Sequence, residues 1–510
     1  MTTDTVASSG VAGRMGRLRG LGPRESAWIL VVAVIAVVAF LVRLGLMLRG
    51  GGLLGEAGYD DSVYFSGAAA LVHGRFPYRD FLFIQPPSIL VALAPFAWLG
   101  TLISDARAFE LARLAFMAIG AVNAVLAALL ARRFGRIAGA VAGFSYAIFF
   151  PAAYSEHSTL LEPLASTLIL LSLLLLGAAW SRPRLGVLIA GVVGGLSLGF
   201  KVWYVVPLAV IVVFQPGRRL LYLAGVVIAG LLAYLPFFVL APSTMWQQVV
   251  LDQLGRPGPH SLVSALKQRL VGMSGVPTLH GALAPFTPVV FGAVVLLAVI
   301  VLGAAACTVP GARVYPALTA AGAAVILASP SYFLHYVALV APPAAVTVGI
   351  GAGRLARLLP KPSFRIAAAV VLIALIVVAN VKRDTGGVGA RLPVAALRPA
   401  ALAVKGCVTT DDPTGVIALD TLSRDLSHGC AFRPDVTGYT YDRDRFRVNG
   451  VEVSRPDNPR WQRDVLQYLR SGEATFVFRP LTGLSAASRA VLERGQVLAE
   501  HGKYVLRTTP

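Results

Sequence analysis

Apolar residues occur along most of this chain in long runs, and short polar segments separate the runs. A helix that crosses a bilayer needs about 20 mostly apolar residues. The pattern therefore predicts a polytopic α-helical membrane protein. We expect about eleven transmembrane helices, at 28–47, 108–131, 136–153, 159–179, 185–200, 202–215, 219–240, 286–306, 314–329, 332–353 and 364–381.

Two stretches depart from this simple pattern. Lys201 interrupts the apolar stretch 185–215. The division of this stretch into the helices 185–200 and 202–215 is therefore the least well defined of the predicted spans. The apolar stretch 84–100 is short for a tilted span and contains three prolines. We interpret 84–100 as a re-entrant or interfacial juxtamembrane helix within the first outside loop, 49–107, because such a helix is tolerated where protein or a water-filled cavity covers it.

The last part of the chain, 382–510, is rich in charged residues and changes in pattern. It predicts a small α/β domain outside the membrane. Short β-type runs lie at Gly415–Leu419, Ala474–Phe478 and Lys503–Arg507, and helical patterns lie at Trp461–Arg470 and Ser485–His501. Cys407 and Cys430 both fall in this domain. In an oxidising compartment they predict a disulfide, and two unpaired buried thiols are the alternative.

The distribution of charge orients the helices. With the N-terminal tail 1–27 in the cytoplasm, the inside segments, this tail included, hold 16 Lys and Arg residues against 2 acids. The longer outside loops then hold 7 basic residues against 7 acids. This asymmetry agrees with the positive-inside rule. Eleven spans from an inside start place 382–510 in the extracytoplasmic space.

Composition narrows the class of protein further. Apolar residues make up 56% of the chain and charged residues only 14%, against roughly 25% charged residues in soluble domains. A soluble enzyme and a disordered protein are both excluded. The net charge of +20 fits the cytoplasmic loops of a membrane protein, so we predict no nucleic-acid partner. The sequence shows no nucleotide-binding glycine motif, so ATP-driven transport has no support.

Two adjacent carboxylates, Asp60 and Asp61, lie in the first outside loop. One of them could act as a general base toward a sugar hydroxyl. The other could orient the acceptor or bind a divalent cation such as Mg²⁺ or Mn²⁺. A helix that begins nearby would also favour acids at this position without any catalytic role. No cofactor follows with certainty from these residues.

A second group of candidates lies in and after the outside loop 154–158. Glu162 stands at the boundary of the membrane, where a carboxylate is expensive and is by default a functional hypothesis. Its position at a helix N-terminus offsets part of that cost without any catalytic role. Glu156 and His157 precede it as candidate substrate contacts, and a lone loop histidine is more often solvated.

Basic and aromatic residues at the same membrane face could bind an anion. Lys201 lies between two apolar runs, where a lysine either extends to the interface or binds a lipid phosphate. His335 and Tyr336 begin a late span and equally suit interfacial anchors. The outside loop 241–285 is basic, and its charge could hold a phosphate or contact anionic headgroups. Its candidates are Arg256, His260, Lys267, Arg269 and His280.

Short motifs follow one another along the outer side of the predicted helices. They are Asp60-Asp61; the spaced residues Tyr64, Ala70, Leu71, Gly74 and Tyr78; Gln85-Pro86-Pro87; Ala108–Arg113; Glu162-Pro163; Lys201; and His335-Tyr336 with Pro342-Pro343. In their order and membrane side they resemble the GT-C superfamily of membrane glycosyltransferases. The resemblance is to the branch of protein O-mannosyltransferases, aminoarabinose transferases and actinobacterial mannosyl- and arabinosyltransferases. It covers about 40–381, and Gln85 departs from the histidine or lysine usual there.

This resemblance implies a GT-C-like fold and a glycosyltransferase of the outer face. The donor would be a polyprenyl-phosphate sugar, with mannose or arabinose transferred to a cell-envelope glycan, glycolipid or protein. The implied site has catalytic residues Asp60, Asp61 and Glu162; donor-phosphate residues Lys201, Arg256, Arg269, His335 and Tyr336; and substrate contacts Tyr59, Tyr64, Gln85, Glu156 and His157.

Two other classes of function remain open. A secondary transporter or lipid-linked sugar flippase would also be polytopic, although such proteins often show inverted repeats and acids near mid-span. A non-catalytic scaffold that presents 382–510 outside would not require Glu162 or Lys201. One expectation distinguishes the enzyme from these alternatives. In the enzyme, Asp60, Glu162 and Lys201 should line one outward cavity.

Overall fold

The structure is a computed structural model of the chain. It describes residues 23–178, 183–215, 217–256, 258, 261–275, 287–381, 389–477, 479 and 482–510. Most of the predicted tail 1–27 and two basic-loop candidates, His260 and His280, lie outside the described residues. The end of one predicted strand, Phe478, lies outside them as well.

Helices dominate the described chain up to residue 381. In its first half they are α1 (Pro23–Arg49), α2 (Asp60–Val72), α3 (Ser88–Leu102), α4 (Asp105–Arg132), α5 (Arg136–Ile148), α6 (Phe150–Glu156), α7 (Glu162–Ala178), α8 (Pro183–Gly195), α9 (Val205–Val213) and α10 (Arg219–Phe238). Further along they are α11 (Pro242–Trp246), α12 (Asp252–Leu254), α13 (Leu262–Ser274), α14 (Thr287–Cys307), α15 (Val314–Ala328), α16 (Ala341–Ala356) and α17 (Pro362–Val381).

Each predicted span falls on one helix or on two consecutive helical segments. In the described part of the chain, four helices are long and apolar enough to cross a bilayer. They lie at Glu25–Arg49, Asp105–Arg132, Arg219–Phe238 and Pro288–Cys307. The pair α5 and α6, bent by 60°, makes a fifth if it counts as one span. The helical class is therefore confirmed, and the total of eleven spans stays a prediction.

Irregular backbone interrupts the helices next to the candidate residues. Two short 3-10 segments, Leu196–Gly199 and Val202–Tyr204, flank Lys201, whose own backbone is extended. A third, Leu334–Leu339, precedes α16 and contains His335 and Tyr336. Non-helical backbone at membrane depth is tolerated where protein covers it or where it lines a cavity. These breaks therefore mark where a cavity is expected.

The described C-terminal region, 389–510, contains a small sheet with short helices. Its elements are α18 (Val394–Ala403), β1 (Val408–Thr410), α19 (Thr414–Ala418), α20 (Leu422–Ser427), β2 (Arg447–Val448), β3 (Val451–Glu452), α21 (Pro459–Leu469), β4 (Ala474–Val477), α22 (Ala486–Leu492), β5 (Val497–His501) and β6 (Tyr504–Thr508). The four-stranded sheet has the order β1-β4-β6-β5, with β1 parallel to β4 and the other pairs antiparallel. Strands β2 and β3 form a separate hairpin.

Two secondary-structure predictions in this region are wrong. The predicted strand Gly415–Leu419 is the helix α19, whose start is held by the Asp412 carboxylate accepting from the backbone N–H of Thr414 at 2.8 Å. A short, fully buried apolar run cannot be assigned to helix or strand by its periodicity. The predicted helix Ser485–His501 ends at Leu492, and its last residues form β5.

The C-terminal region packs directly against residues 59–75, which lie in the predicted first outside loop. A disulfide joins Cys407, which precedes β1, to Cys430. The Arg75 guanidinium donates to the Cys430 carbonyl at 2.8 Å. The Ser62 hydroxyl, in the first turn of α2, donates to Asp412 at 3.0 Å. Ser62 thus holds the N-terminal end of α2 against the C-terminal region and Arg75 holds the turn after its C-terminal end, and the Ser62 junction borders the candidate site.

Candidate active site

A cavity of about 220 Å³ lies between the segment 59–85, the backbone breaks at Lys201 and His335, and the C-terminal region. It brings together residues that are far apart in sequence. Those predicted from the sequence are Tyr59, Asp60, Tyr64, Gln85, Lys201, Arg256, His335 and Tyr336. Those that sequence reasoning missed include Phe83, Phe333, Asp435, Thr437, Tyr441, Arg455, Arg479 and Thr482.

Asp60 is the first residue of α2 and lines this cavity. Burial raises the pKa of its carboxyl to about 7, and the nearby Asp435 adds to the rise. Arg256 and Lys201 act in the opposite direction. A carboxyl with a pKa near neutrality can both accept and release a proton under physiological conditions. The arrangement therefore suits a general base.

Lys201 and Glu162 form a buried ion pair at the cavity wall. The Lys201 ammonium donates to the Glu162 carboxylate at 2.5 Å. The same ammonium lies 3.8 Å from the centre of the Tyr336 ring and 4.9 Å from that of Trp203. Glu162 is the first residue of α7 and is not among the lining residues, so only Asp60 and Lys201 of the three expected residues line the cavity, and Glu162 contacts Lys201. A cation held over aromatic faces and one carboxylate can still attract an anion that enters the cavity.

Arg256 and Arg455 add positive charge to the cavity. The Arg256 guanidinium lies over the Tyr441 ring at 4.9 Å. Among the described residues, neither arginine forms an ion pair with a carboxylate within 4.0 Å. Arg479 differs, because it is paired with Asp412 at 2.5 Å. Both guanidinium groups thus have donors available to a ligand in the cavity, where guanidinium can donate to phosphate oxygens or to other oxygen acceptors.

Tyr59 connects the two halves of the site. Its hydroxyl donates to the Asp435 carboxylate at 3.1 Å. Burial raises the pKa of Tyr59 well above its ordinary value, so the hydroxyl stays protonated and remains a donor. Asp435 and Arg455 belong to no sequence motif, and only the folded structure places them at the cavity. No signal in the sequence alone singles them out.

Asp61 requires a correction, because it does not line the cavity. It is fully buried, and the Arg113 guanidinium donates to its carboxylate at 2.5 Å and 3.1 Å. Its other oxygen accepts from the Ser62 backbone N–H at 2.8 Å. Both oxygens are therefore engaged by protein donors. This geometry favours a structural role for Asp61 over a catalytic one.

Glu156 also lies away from the cavity. Its carboxylate accepts from the Arg43 guanidinium, from Asn123 at 2.7 Å and from the Tyr146 hydroxyl at 2.7 Å. A Cβ on Gly120 would lie 2.2 Å from Arg43 Nε, so glycine is needed for this approach. We call Asp61, Arg113, Glu156 and Arg43 together the buried charge cluster.

His157 and Arg269 are likewise outside the cavity lining. His157 is buried, and its Nδ1 lies 2.5 Å from the Tyr154 carbonyl. Burial lowers the pKa of His157 to about 4, so the ring is neutral at physiological pH. Arg269 donates to the carbonyls of Leu327 and Ser329 at the end of α15. Helix ends leave carbonyls without partners, and Arg269 satisfies them.

The two adjacent carboxylates do not fit a shared metal site. Asp60 faces the cavity, whereas both oxygens of Asp61 are bound by Arg113 and Ser62. Within the described ranges, no group of three or more His, Cys, Asp and Glu side chains is placed to hold a metal ion. We therefore derive no chemical step through a metal.

The fold is similar to that of ArnT from Cupriavidus metallidurans. The crystal structure of that protein bound to undecaprenyl phosphate gives a TM-score of 0.58 at 16% identity, over 94% of this chain and 98% of that chain. Its apo state gives 0.55 at 15% identity, over 95% and 98%. The Archaeoglobus fulgidus oligosaccharyltransferase gives 0.49 at 15% identity, over 74% and 57%.

No protein-family model matches the chain, and no curated protein sequence matches it. At 16% identity, the likeness to ArnT establishes the fold. ArnT is an aminoarabinose transferase of the GT-C superfamily. The resemblance to this superfamily that the sequence motifs indicate is therefore confirmed as a likeness of fold.

Proposed function

We propose that this protein is an integral-membrane glycosyltransferase. It moves a sugar from a polyprenyl-phosphate donor to a hydroxyl of a cell-envelope glycan, glycolipid or protein on the outer face. The observation that carries the proposal is the cavity lined by Asp60, Lys201 and Arg256, with Glu162 paired to Lys201. A base and several cations around one space are what transfer from a lipid phosphate requires.

The donor phosphate would lie on the Lys201 side of the cavity. ArnT, which shares the fold, has been crystallised with undecaprenyl phosphate. Because Glu162 already neutralises Lys201, the phosphate would have to draw the ammonium partly away from that carboxylate. Arg256 has no such competitor among the described carboxylates and would add charge stabilisation as the phosphate leaves. His335 and Tyr336 would border the same phosphate.

The acceptor would react on the Asp60 side. Asp60 takes the proton of the acceptor hydroxyl while the acceptor oxygen bonds to the anomeric carbon of the donor sugar. The bond from that carbon to the phosphate oxygen breaks, and polyprenyl phosphate leaves with the electron pair. A pKa near 7 leaves about half of Asp60 ionised at neutral pH, which is the form that accepts a proton.

The membrane arrangement is part of the same proposal. It has eleven spans within 28–381, a cytoplasmic N-terminus and an extracytoplasmic domain at 382–510. The charge asymmetry of the loops supports this orientation. No nucleotide sugar is available on the outer face, so a lipid-linked donor agrees with the location of the cavity. Mannose and arabinose are the sugars that the sequence resemblance favours.

Reconstitution tests the proposal directly. The purified protein in nanodiscs would be given undecaprenyl-phosphate-linked mannose or arabinose together with short envelope oligosaccharides. We expect release of undecaprenyl phosphate and a new glycosidic bond, detected by mass spectrometry. Deletion of the gene should remove a matching sugar from envelope glycans or glycolipids. Movement of the lipid-linked sugar across vesicles without any new glycosidic bond would instead support a flippase.

A further inference from the structure

The C-terminal region forms a second wall of the cavity. The sequence motifs along 40–381 do not include this wall, and no function has been assigned to it above. The polar side chains of this wall include Asp435, Arg455, Arg479 and Thr482. Two of them are already committed within the protein. Arg479 is paired with Asp412, and the Thr482 hydroxyl lies 3.0 Å from Asp411 and 2.8 Å from the Arg479 carbonyl. The charged groups of this wall left to face a ligand are Asp435 and Arg455.

Asp435 is 7% exposed, yet only one of its oxygens is engaged. Oδ1 accepts from the Tyr59 hydroxyl at 3.1 Å, from the Thr437 hydroxyl at 2.9 Å and from the Gly438 backbone N–H at 2.8 Å. Within the described residues, no hydrogen bond is recorded to Oδ2. Three donors on one oxygen fix the orientation of the carboxylate, so its second oxygen is a rigid acceptor.

A glycine lies directly beside this second oxygen. A Cβ at Gly438 would lie 2.4 Å from Asp435 Oδ2, so any larger residue there would press on it. Tyr59, which holds the other oxygen, directly precedes Asp60 in the chain. The proposed base and Asp435 are thus tied together through one tyrosine. They face the same cavity from two different parts of the molecule.

We propose that Asp435 Oδ2 and Arg455 bind the acceptor, and that the acceptor group at this wall is an uncharged sugar bearing several hydroxyls. This inference rests on the proposed function and names the substrate class of the same site. A carboxylate accepts hydrogen bonds from sugar hydroxyls and a guanidinium donates to their oxygens. Asp435 Oδ2 is a negatively charged acceptor, so a phosphate or carboxylate placed against it would be repelled, whereas a sugar hydroxyl can donate to it. The proposed function assigns the cations Lys201 and Arg256 to the donor phosphate.

Binding measurements test this without requiring turnover. Neutral mannose and arabinose trisaccharides, with mannose 6-phosphate as a charged counterpart, would be titrated into the protein in nanodiscs and followed by saturation-transfer NMR. We expect a neutral trisaccharide to bind the parent protein and mannose 6-phosphate to bind more weakly. Asp435→Asn should lower the affinity for the neutral trisaccharide by about tenfold or more, because a hydrogen bond to a charged group is stronger than one to a neutral group. Undecaprenyl phosphate binding should stay unchanged.

Two further variants make the test decisive. Glu500→Gln removes an exposed carboxylate of the same region and is the matched control. Arg455→Gln probes the second proposed ligand and leaves the hydrogen bonds of Asp435 intact. If Asp435→Asn loses thermal stability or lipid binding, the Arg455→Gln result decides. In the transfer assay, both cavity variants should raise the KM for the acceptor and leave the KM for the donor unchanged.

The inference is overturned if no neutral trisaccharide binds the parent protein at about 10 mM. It is also overturned if mannose 6-phosphate binds better, or if both cavity variants bind the sugar as the parent does. Failure of the proposed function gives a different result: no sugar would be transferred from the lipid-linked donor to any acceptor, whatever the trisaccharides do. The two failures can therefore be told apart.

Discussion

The buried charge cluster and the cavity contain the same kinds of charged residues, but a ligand can reach only those of the cavity. In the cluster, Asp61 and Arg113 are both fully buried, and the remaining arginine donors bind the carbonyls of Leu53 and Gly55. In the cavity wall, Lys201 pairs with Glu162 but also faces open space. One pair is saturated by protein groups, whereas the other leaves charge that a ligand can reach.

This contrast teaches that a buried ion pair does not by itself indicate function. Removing two charges from water costs several kcal/mol per ion, and only good geometry with further hydrogen bonds compensates. The cluster meets that demand completely. The cavity pair does not, because within the described residues Glu162 Oε2 has no hydrogen-bond partner. Incomplete satisfaction next to a cavity is therefore the better pointer to a binding site.

The largest expected effect separates the adjacent residues Asp60 and Asp61. Asp60→Asn should lower kcat/KM by about 10²–10⁴-fold, because it removes the general base. Thermal stability and undecaprenyl phosphate binding should stay close to those of the parent. Steady-state transfer assays in nanodiscs measure the first effect, and thermal melts check the second. Near-normal turnover in the purified variant would exclude Asp60 as the base.

Asp61→Asn should act on stability instead. It leaves Arg113 charged and buried without a carboxylate to neutralise it, which typically costs about 3–5 kcal/mol. A lower unfolding temperature and lower yield in detergent would report this loss. The paired replacement Asp61→Leu with Arg113→Met should recover most of the stability, since an apolar pair of similar volume is often tolerated. A stable but inactive Asp61→Asn would return Asp61 to the catalytic candidates.

Lys201→Met should weaken binding of undecaprenyl phosphate by at least about tenfold while the apolar stem is kept. Because the change leaves Glu162 unpaired, the double variant Lys201→Met with Glu162→Gln serves as its folding control. Lys201→Arg should retain part of the binding. Isothermal titration in nanodiscs gives the affinities. Parent-like affinity in the double variant would make Lys201 an interfacial anchor only.

The smallest expected effect is the pH dependence of turnover. Asp60 accepts a proton only when ionised, and its pKa is about 7. The rate should therefore rise with pH through this value, by about tenfold between pH 6 and pH 8. His157, with a pKa lowered to about 4, stays neutral across that range and adds no step. A rate that falls as pH rises through 7 would contradict a base with this pKa.

The sequence by itself determined the helical architecture and most of the cavity's membrane-side residues. Long apolar runs fix where helices form, because the backbone in a bilayer must satisfy its own hydrogen bonds. The order of motifs from Asp60 to Tyr336 also indicated the superfamily whose fold the chain has. In the C-terminal region the sequence was less decisive, since the short buried run Gly415–Leu419 suits a helix as well as a strand.

Only the tertiary structure decided which of two neighbouring acids faces the cavity. Successive residues on a helix point about 100° apart, so Asp60 and Asp61 have different surroundings although they are adjacent in sequence. The partner of Asp61 lies 52 residues away, and that of Tyr59 lies 376 residues away. Such contacts depend on how distant segments pack, and no local pattern encodes them. For the same reason Asp435 and Arg455, which complete the cavity, became visible only in the folded chain.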